Sequence, residues 1–168
     1  FGGLVGARYQ NPEGDLFAEL GAGLLYRDYA ADSLDDIFFP GFRAEVRYRP
    51  NDDALELRAR ARTDIRDTDL AAASGFRNAR GDLDASYDVA DDVTLFAGFG
   101  IEWRKFAVES SLANERTDVL ASGEAGVRYV FLAPTFLEFK ARYDERFSDE
   151  RAARYDALRL SVSVGAAF

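Results

Sequence analysis

The chain has 168 residues, a formal net charge of −9, and neither cysteine nor histidine. That length predicts a single domain over residues 1–168, the acidic balance argues against a nucleic-acid partner, and the missing cysteine excludes disulfides and thiol chemistry. No apolar run approaches the roughly 20 residues of a spanning helix, so any membrane crossing must be made by strands.

Apolar and polar residues alternate almost from the start, the period of a strand. Val5, Ala7 and Tyr9 face away from Gly6 and Arg8, before a turn at Asn11-Pro12-Glu13-Gly14-Asp15. Leu16, Ala18, Leu20, Ala22 and Leu24 oppose Glu19, Gly21, Gly23 and Arg27, followed by a longer polar connection from Ala30 to Ile37. Phe42, Ala44, Val46 and Tyr48 oppose Arg43, Glu45, Arg47 and Arg49, up to the turn at Pro50-Asn51-Asp52-Asp53.

Residues 51–73 are rich in Leu, Ala, Arg and Glu, which favour helix locally. A helix would scatter the apolar residues around its axis, whereas a strand puts Leu55, Leu57, Ala59, Ala61, Thr63 and Ile65 on one face and Glu56, Arg58, Arg60, Arg62 and Asp64 on the other. The strand reading therefore overrides propensity.

After a connection from Asp67 to Gly75, Gly81, Leu83, Ala85 and Tyr87 oppose Arg80, Asp82, Asp84 and Ser86, and Ala90-Asp91-Asp92 makes the next turn. Val93, Leu95, Ala97, Phe99, Ile101 and Trp103 oppose Thr94, Phe96, Gly98, Gly100, Glu102 and Arg104. Beyond the connection from Glu109 to Glu115, Val119, Ala121, Gly123, Ala125, Val127 and Tyr129 oppose Ser122, Glu124, Gly126 and Arg128. A turn at Leu132-Ala133-Pro134-Thr135 leads to Leu137, Phe139, Ala141 and Tyr143, set against Glu138, Lys140, Arg142 and Asp144. A last connection, Ser148 to Ala152, precedes Leu158, Leu160, Val162, Val164, Ala166 and Phe168, which oppose Arg159, Ser161, Ser163 and Gly165.

Nine antiparallel strands result, with short turns at one end and longer connections at the other. Tyr9, Tyr48, Tyr87, Tyr129 and Phe168 recur at separations of 39, 39, 42 and 39 residues, about the length of a hairpin of two membrane strands. These five aromatics are expected at the membrane interface on the short-turn side. Trp103, Tyr26, Tyr143 and Phe147 are expected near the long-connection side, where amphipathic rings satisfy both their apolar and polar parts. A small soluble β-barrel or sandwich with its apolar face inward fits the same period.

The closing strand, apolar at alternate positions and ending on Phe168, resembles that of Gram-negative outer-membrane β-barrel proteins. The resemblance implies an all-β, antiparallel up-and-down transmembrane β-barrel of about 8 to 10 strands in this chain, or part of a larger barrel. It further implies outer-membrane lipid as surroundings and recognition of the C-terminal strand by the barrel-assembly machinery. The Arg- and Asp-rich hairpins, with Tyr26-Arg27-Asp28-Tyr29 and Arg49-Pro50-Asn51-Asp52, are similar in style to β-barrel porins of exopolysaccharide-export systems. No residue role carries over from that likeness.

In such a barrel the charged face lines the lumen. Arg43, Arg47, Arg58, Arg60, Arg62, Asp82, Asp84, Glu102, Arg104, Glu124, Arg128, Glu138, Lys140, Arg142 and Arg159 are its expected lining, with a slight surplus of bases and a basic stripe from Arg43 to Arg62. Arg58, Arg60 and Arg62 are expected to interleave as ion pairs with Asp82, Asp84 and Asp88 on the next strand. Catalysis is not expected, because the enzymes of this architecture mostly use histidine as base. Asp32, Asp35 and Asp36 lack the spacing of a calcium loop, so neither metal nor cofactor is expected. The expected function is a porin-like channel or export conduit for polar or anionic solutes. The alternative is a closed, charge-filled barrel serving as an anchor or scaffold for a protein partner; the number of strands in the intact barrel separates the two.

Overall fold

The computed structural model describes residues 1–29, 36–50, 54–68, 73–108 and 116–166. The turn residues Asn51 to Asp53, the connections around Ser33, Ala72 and Ala113, and Phe168 lie outside them. Nine strands form one sheet in sequence order: β1 (Gly2–Gln10), β2 (Leu16–Arg27), β3 (Ile37–Tyr48), β4 (Leu55–Asp67), β5 (Ala73–Ala90), β6 (Val93–Val108), β7 (Thr117–Leu132), β8 (Thr135–Ser148) and β9 (Tyr155–Ala166). Every neighbouring pair is antiparallel. Among the described residues β1 and β9 are not paired with each other, so the sheet has two open edges, which run in the same direction. Among the described residues no helix is long and apolar enough to cross a membrane.

Local chemistry explains the element ends. In the β1–β2 turn the Asn11 side chain accepts the Leu16 N–H at 2.9 Å, and Gly14 adopts φ +82°, a left-handed conformation that costs glycine little. Asp91 and Asp92 alone join β5 to β6, and Ala133-Pro134, a cis peptide, joins β7 to β8. A 3-10 turn at Arg151–Ala153 lies in the connection before β9. The stretch with helical propensity is β4, fully paired to β5 from Leu55↔Tyr87 to Asp67↔Gly75.

Burial is inverted relative to a water-soluble protein. Leu160, Val162 and Leu83 are 77%, 65% and 58% exposed, whereas Glu102 and Asp144 on the opposite face retain 6% and 8%. An apolar face this continuous needs an apolar medium, and β-strands can present one to lipid. The arrangement with the apolar face inward is therefore not the one adopted.

Candidate functional site: the charged face

The pairing register turns the alternation of each strand into rows running across the sheet. One row reads Arg43↔Arg62↔Arg80↔Glu102 through β3 to β6. The next is Glu19↔Glu45↔Arg60↔Asp82 through β2 to β5, continuing across Gly100 and Ser122 to Asp144. A third reads Arg47↔Arg58↔Asp84, crosses Gly98, and continues Glu124↔Arg142↔Arg159. A row with most of the carboxylates thus lies between two rows with most of the guanidiniums, and carboxylates bridge across them.

Glu45 is 9% exposed and accepts from Arg47 at 3.1 Å and from Arg58 Nε at 3.0 Å. Glu102 takes Arg104 at 2.6 Å and Arg80 at 3.4 Å. Asp144 takes Arg142 at 2.9 Å and Arg159 at 3.1 Å. Gly98 and Gly100 leave β6 bare between these groups: a Cβ on Gly100 would come within 2.9 Å of Ser122 Oγ and 3.1 Å of Asp82 Oδ1. The space above Gly100 is a polar cleft of about 180 Å³ bounded by Arg80, Glu102, Ser122, Arg142, Asp144 and Arg159. Partly buried, multiply hydrogen-bonded pairs of this kind lose less to solvent screening than isolated surface pairs.

Residues 9–168 match the family described as "Putative beta-barrel porin 2". The chain belongs to this family. No curated protein and no solved structure matches it at a significant level. A membrane β-barrel fold follows from the family and from the all-strand, up-and-down sheet.

In this porin-family chain the residues expected along the lumen, from Arg43 to Arg159, all occupy the charged face. Tyr9, Tyr48, Tyr87 and Tyr129 lie on the apolar face, each within the last few pairs before a short turn, and all are exposed. Trp103 lies on that face toward the other end; Phe168 is outside the described residues. Asp36 accepts the Tyr26 hydroxyl at 2.5 Å and the Tyr29 N–H at 3.2 Å, and these bonds hold its carboxyl below the usual carboxylate range. Asp32 and Asp35 are outside the described residues.

The ladder of Arg58, Arg60 and Arg62 against Asp82, Asp84 and Asp88 forms only in part. Arg60 reaches Asp84 at 2.7 Å, along the diagonal. Asp82 instead takes Arg80, its neighbour on β5, at 2.7 Å, while Arg58 turns to Glu45 and Asp88 accepts the Thr94 hydroxyl at 2.6 Å. Arginine is long enough to choose among several carboxylates, so a cross-strand position does not select the partner.

Other groups on this face escaped the sequence reading. Asp118 is fully buried, held by Arg116 at 3.0 Å and Arg146 through its Nε at 3.1 Å. Phe76 and Phe106 pack with their rings tilted and their centroids 5.1 Å apart, with Arg104 and Arg116 over their rings at 5.3 and 5.0 Å. These residues close the long-connection end of the charged face into a small core with the buried Asn78. The register pairs Phe76 with Phe106 and Asn78 with Arg104; a single Phe at each strand end is too weak a periodic signal to predict it.

Proposed function

We propose that the charged face lines the aqueous path of an outer-membrane porin that passes polar solutes with a mild preference for anions. The observation that carries this reading is the row Arg43↔Arg62↔Arg80. Arg62 stands between two arginines, is exposed, and among the described residues has no carboxylate within ion-pair distance. A guanidinium without an ion-pair partner in a polar passage raises the local concentration of anions. The paired rows beside it keep most of the wall near neutrality, which makes the preference mild. No catalytic role is assigned to the wall: most of its carboxylates, Glu45, Glu102 and Asp144 among them, are tied to arginines, and it carries no histidine.

An odd number of strands leaves edges that cannot pair antiparallel with each other. The proposed barrel closes either through further strands between β9 and β1 or through a parallel pairing of these two edges, and β9 is the strand proposed as the one offered to the assembly machinery of a Gram-negative outer membrane. The dense ion pairing around Glu102 and Asp144 favours one second reading, a closed barrel filled by its own side chains and acting as an anchor. Planar-bilayer recording of the full-length protein separates them. Anion-preferring conductance supports the porin; a folded protein with no conductance supports the filled barrel.

A further inference from the structure

The apolar face carries charge at only one end. Within the described strands, the register places Arg77 of β5, Lys105 of β6, Glu145 of β8 and Asp156 of β9 on that face, all toward the long connections, with Asp67 at the end of β4. Arg77 and Lys105 are directly paired across the β5–β6 ladder. Two cations opposite each other on one face repel unless an anion lies between them.

The acids of the same face do not supply that anion to Arg77. Asp67, diagonal to Arg77, is engaged by the Arg27 guanidinium and by the Tyr29 hydroxyl at 3.1 Å. Glu145 and Asp156 are paired with each other in register, two and three strands away from Lys105. Among the described residues Arg77 makes no hydrogen bond or ion pair, and its Nε is buried without a partner. Lys105 has a contact of its own, so the unpartnered cation of the pair is Arg77. Trp103, two residues from Lys105 and opposite Ala79, completes the patch with an interfacial aromatic.

We infer that Arg77, with Lys105 beside it, binds the uncapped anionic phosphate headgroup of an acidic membrane lipid on the outer wall of the barrel, in the leaflet at the long-connection end. The inference rests on the membrane-barrel reading. A planar guanidinium accepts a phosphate in bidentate geometry, and an arginine on a lipid face is tolerated near the interface far better than at the midplane. The source is a lipid rather than free phosphate because the group projects from the face that, away from the long-connection end, carries mainly Leu, Ala, Val, Phe and Tyr.

Trp103 is the single tryptophan of this chain and lies beside the patch, so it reports on the lipid there. The full-length protein, carrying Trp103 as its only tryptophan, is reconstituted in vesicles containing acyl-brominated phosphatidic acid or acyl-brominated phosphatidylcholine at equal mole fraction. Phosphatidic acid is expected to quench Trp103 several-fold more effectively, and Arg77→Gln to bring the ratio close to one, with Arg77→Lys keeping part of it. Should Arg77→Gln not fold, Lys105→Gln is expected to lower the ratio by a smaller amount. Equal quenching by the two lipids in the parent protein, or an unchanged ratio in the folded variants, overturns the site. Loss of the preference on adding millimolar inorganic phosphate shows a free-anion site and overturns the lipid assignment. No quenching by either lipid overturns the membrane reading itself, an outcome distinct from quenching without headgroup preference.

Discussion

Thr63 repairs the ladder where Pro40 interrupts it: its hydroxyl donates to the Pro40 carbonyl at 2.9 Å and accepts the Phe42 N–H at 2.8 Å. Backbone pairing between β3 and β4 runs only from Tyr48↔Leu57 to Arg43↔Arg62, and the Thr63 side chain extends it past the residue that has no N–H to give. On a lipid-facing wall this matters more than in water, because no solvent takes up the freed groups. Thr63→Val is expected to cost about 1 to 3 kcal/mol and Thr63→Ser much less. Urea unfolding in vesicles measures the difference; equal stability of the two variants would count against the splice.

The two faces predict opposite tolerance. Val162→Arg and Leu57→Arg place a charge on the apolar face and are expected to cost about 2 to 4 kcal/mol if they lie near the bilayer midplane. Ser161→Gln and Arg58→Gln, on the other face, are expected to cost far less, although Arg58→Gln also releases one of the two guanidiniums on Glu45. Folding into liposomes compares them, and equal sensitivity on both faces would remove the basis for placing lipid against Leu57.

Selectivity is expected to follow the row Arg43↔Arg62↔Arg80. Arg62→Gln removes a guanidinium that has no ion-pair partner among the described residues and should reduce the anion preference, while Asp82→Asn with Asp84→Asn should increase it by freeing Arg80 and Arg60. Reversal potentials in a salt gradient, measured on proteins with verified strand content, decide between these signs. Cation preference in the parent protein would mean that the carboxylate row, not the arginine row, controls the path.

Outside the strands, Asp36 makes a prediction about pH. The Tyr26 hydroxyl and the Tyr29 N–H both stabilise its charged form, so its carboxyl titrates below the ordinary range. With a depressed folded pKa, the contribution of Asp36 to order at this end is fully present above the ordinary aspartate value of about 4 and is lost as pH falls through the lower, folded value. An NMR titration of the Asp36 carboxyl carbon should give a midpoint below about 4, and Tyr26→Phe should move it upward. A midpoint at or above the ordinary value in the parent protein contradicts the hydrogen bonds.

Much of the fold was legible along the chain because strand periodicity is local. Leu57, Ala59 and Ala61 fall on one face whatever their neighbours do, and sequential hairpins need only short turns to bring β1 to β9 together in order. Even the helix-favouring residues of β4 could be read correctly, since helical spacing would have spoiled the segregation of Leu55, Leu57 and Ile65 from Arg58, Arg60 and Arg62.

What depended on the tertiary structure is which groups meet. Arg60 reaches diagonally to Asp84 while Asp82 folds back to Arg80, a choice made by side-chain reach and by the room left over Gly98 and Gly100. The burial of Asp118, the splice of Thr63 onto Pro40 and the outward position of Arg77 beside Lys105 depend on register between strands distant in sequence. Alternation assigns a residue to a face; only the paired sheet assigns it a neighbour, and the chemistry of this wall lies in the neighbours.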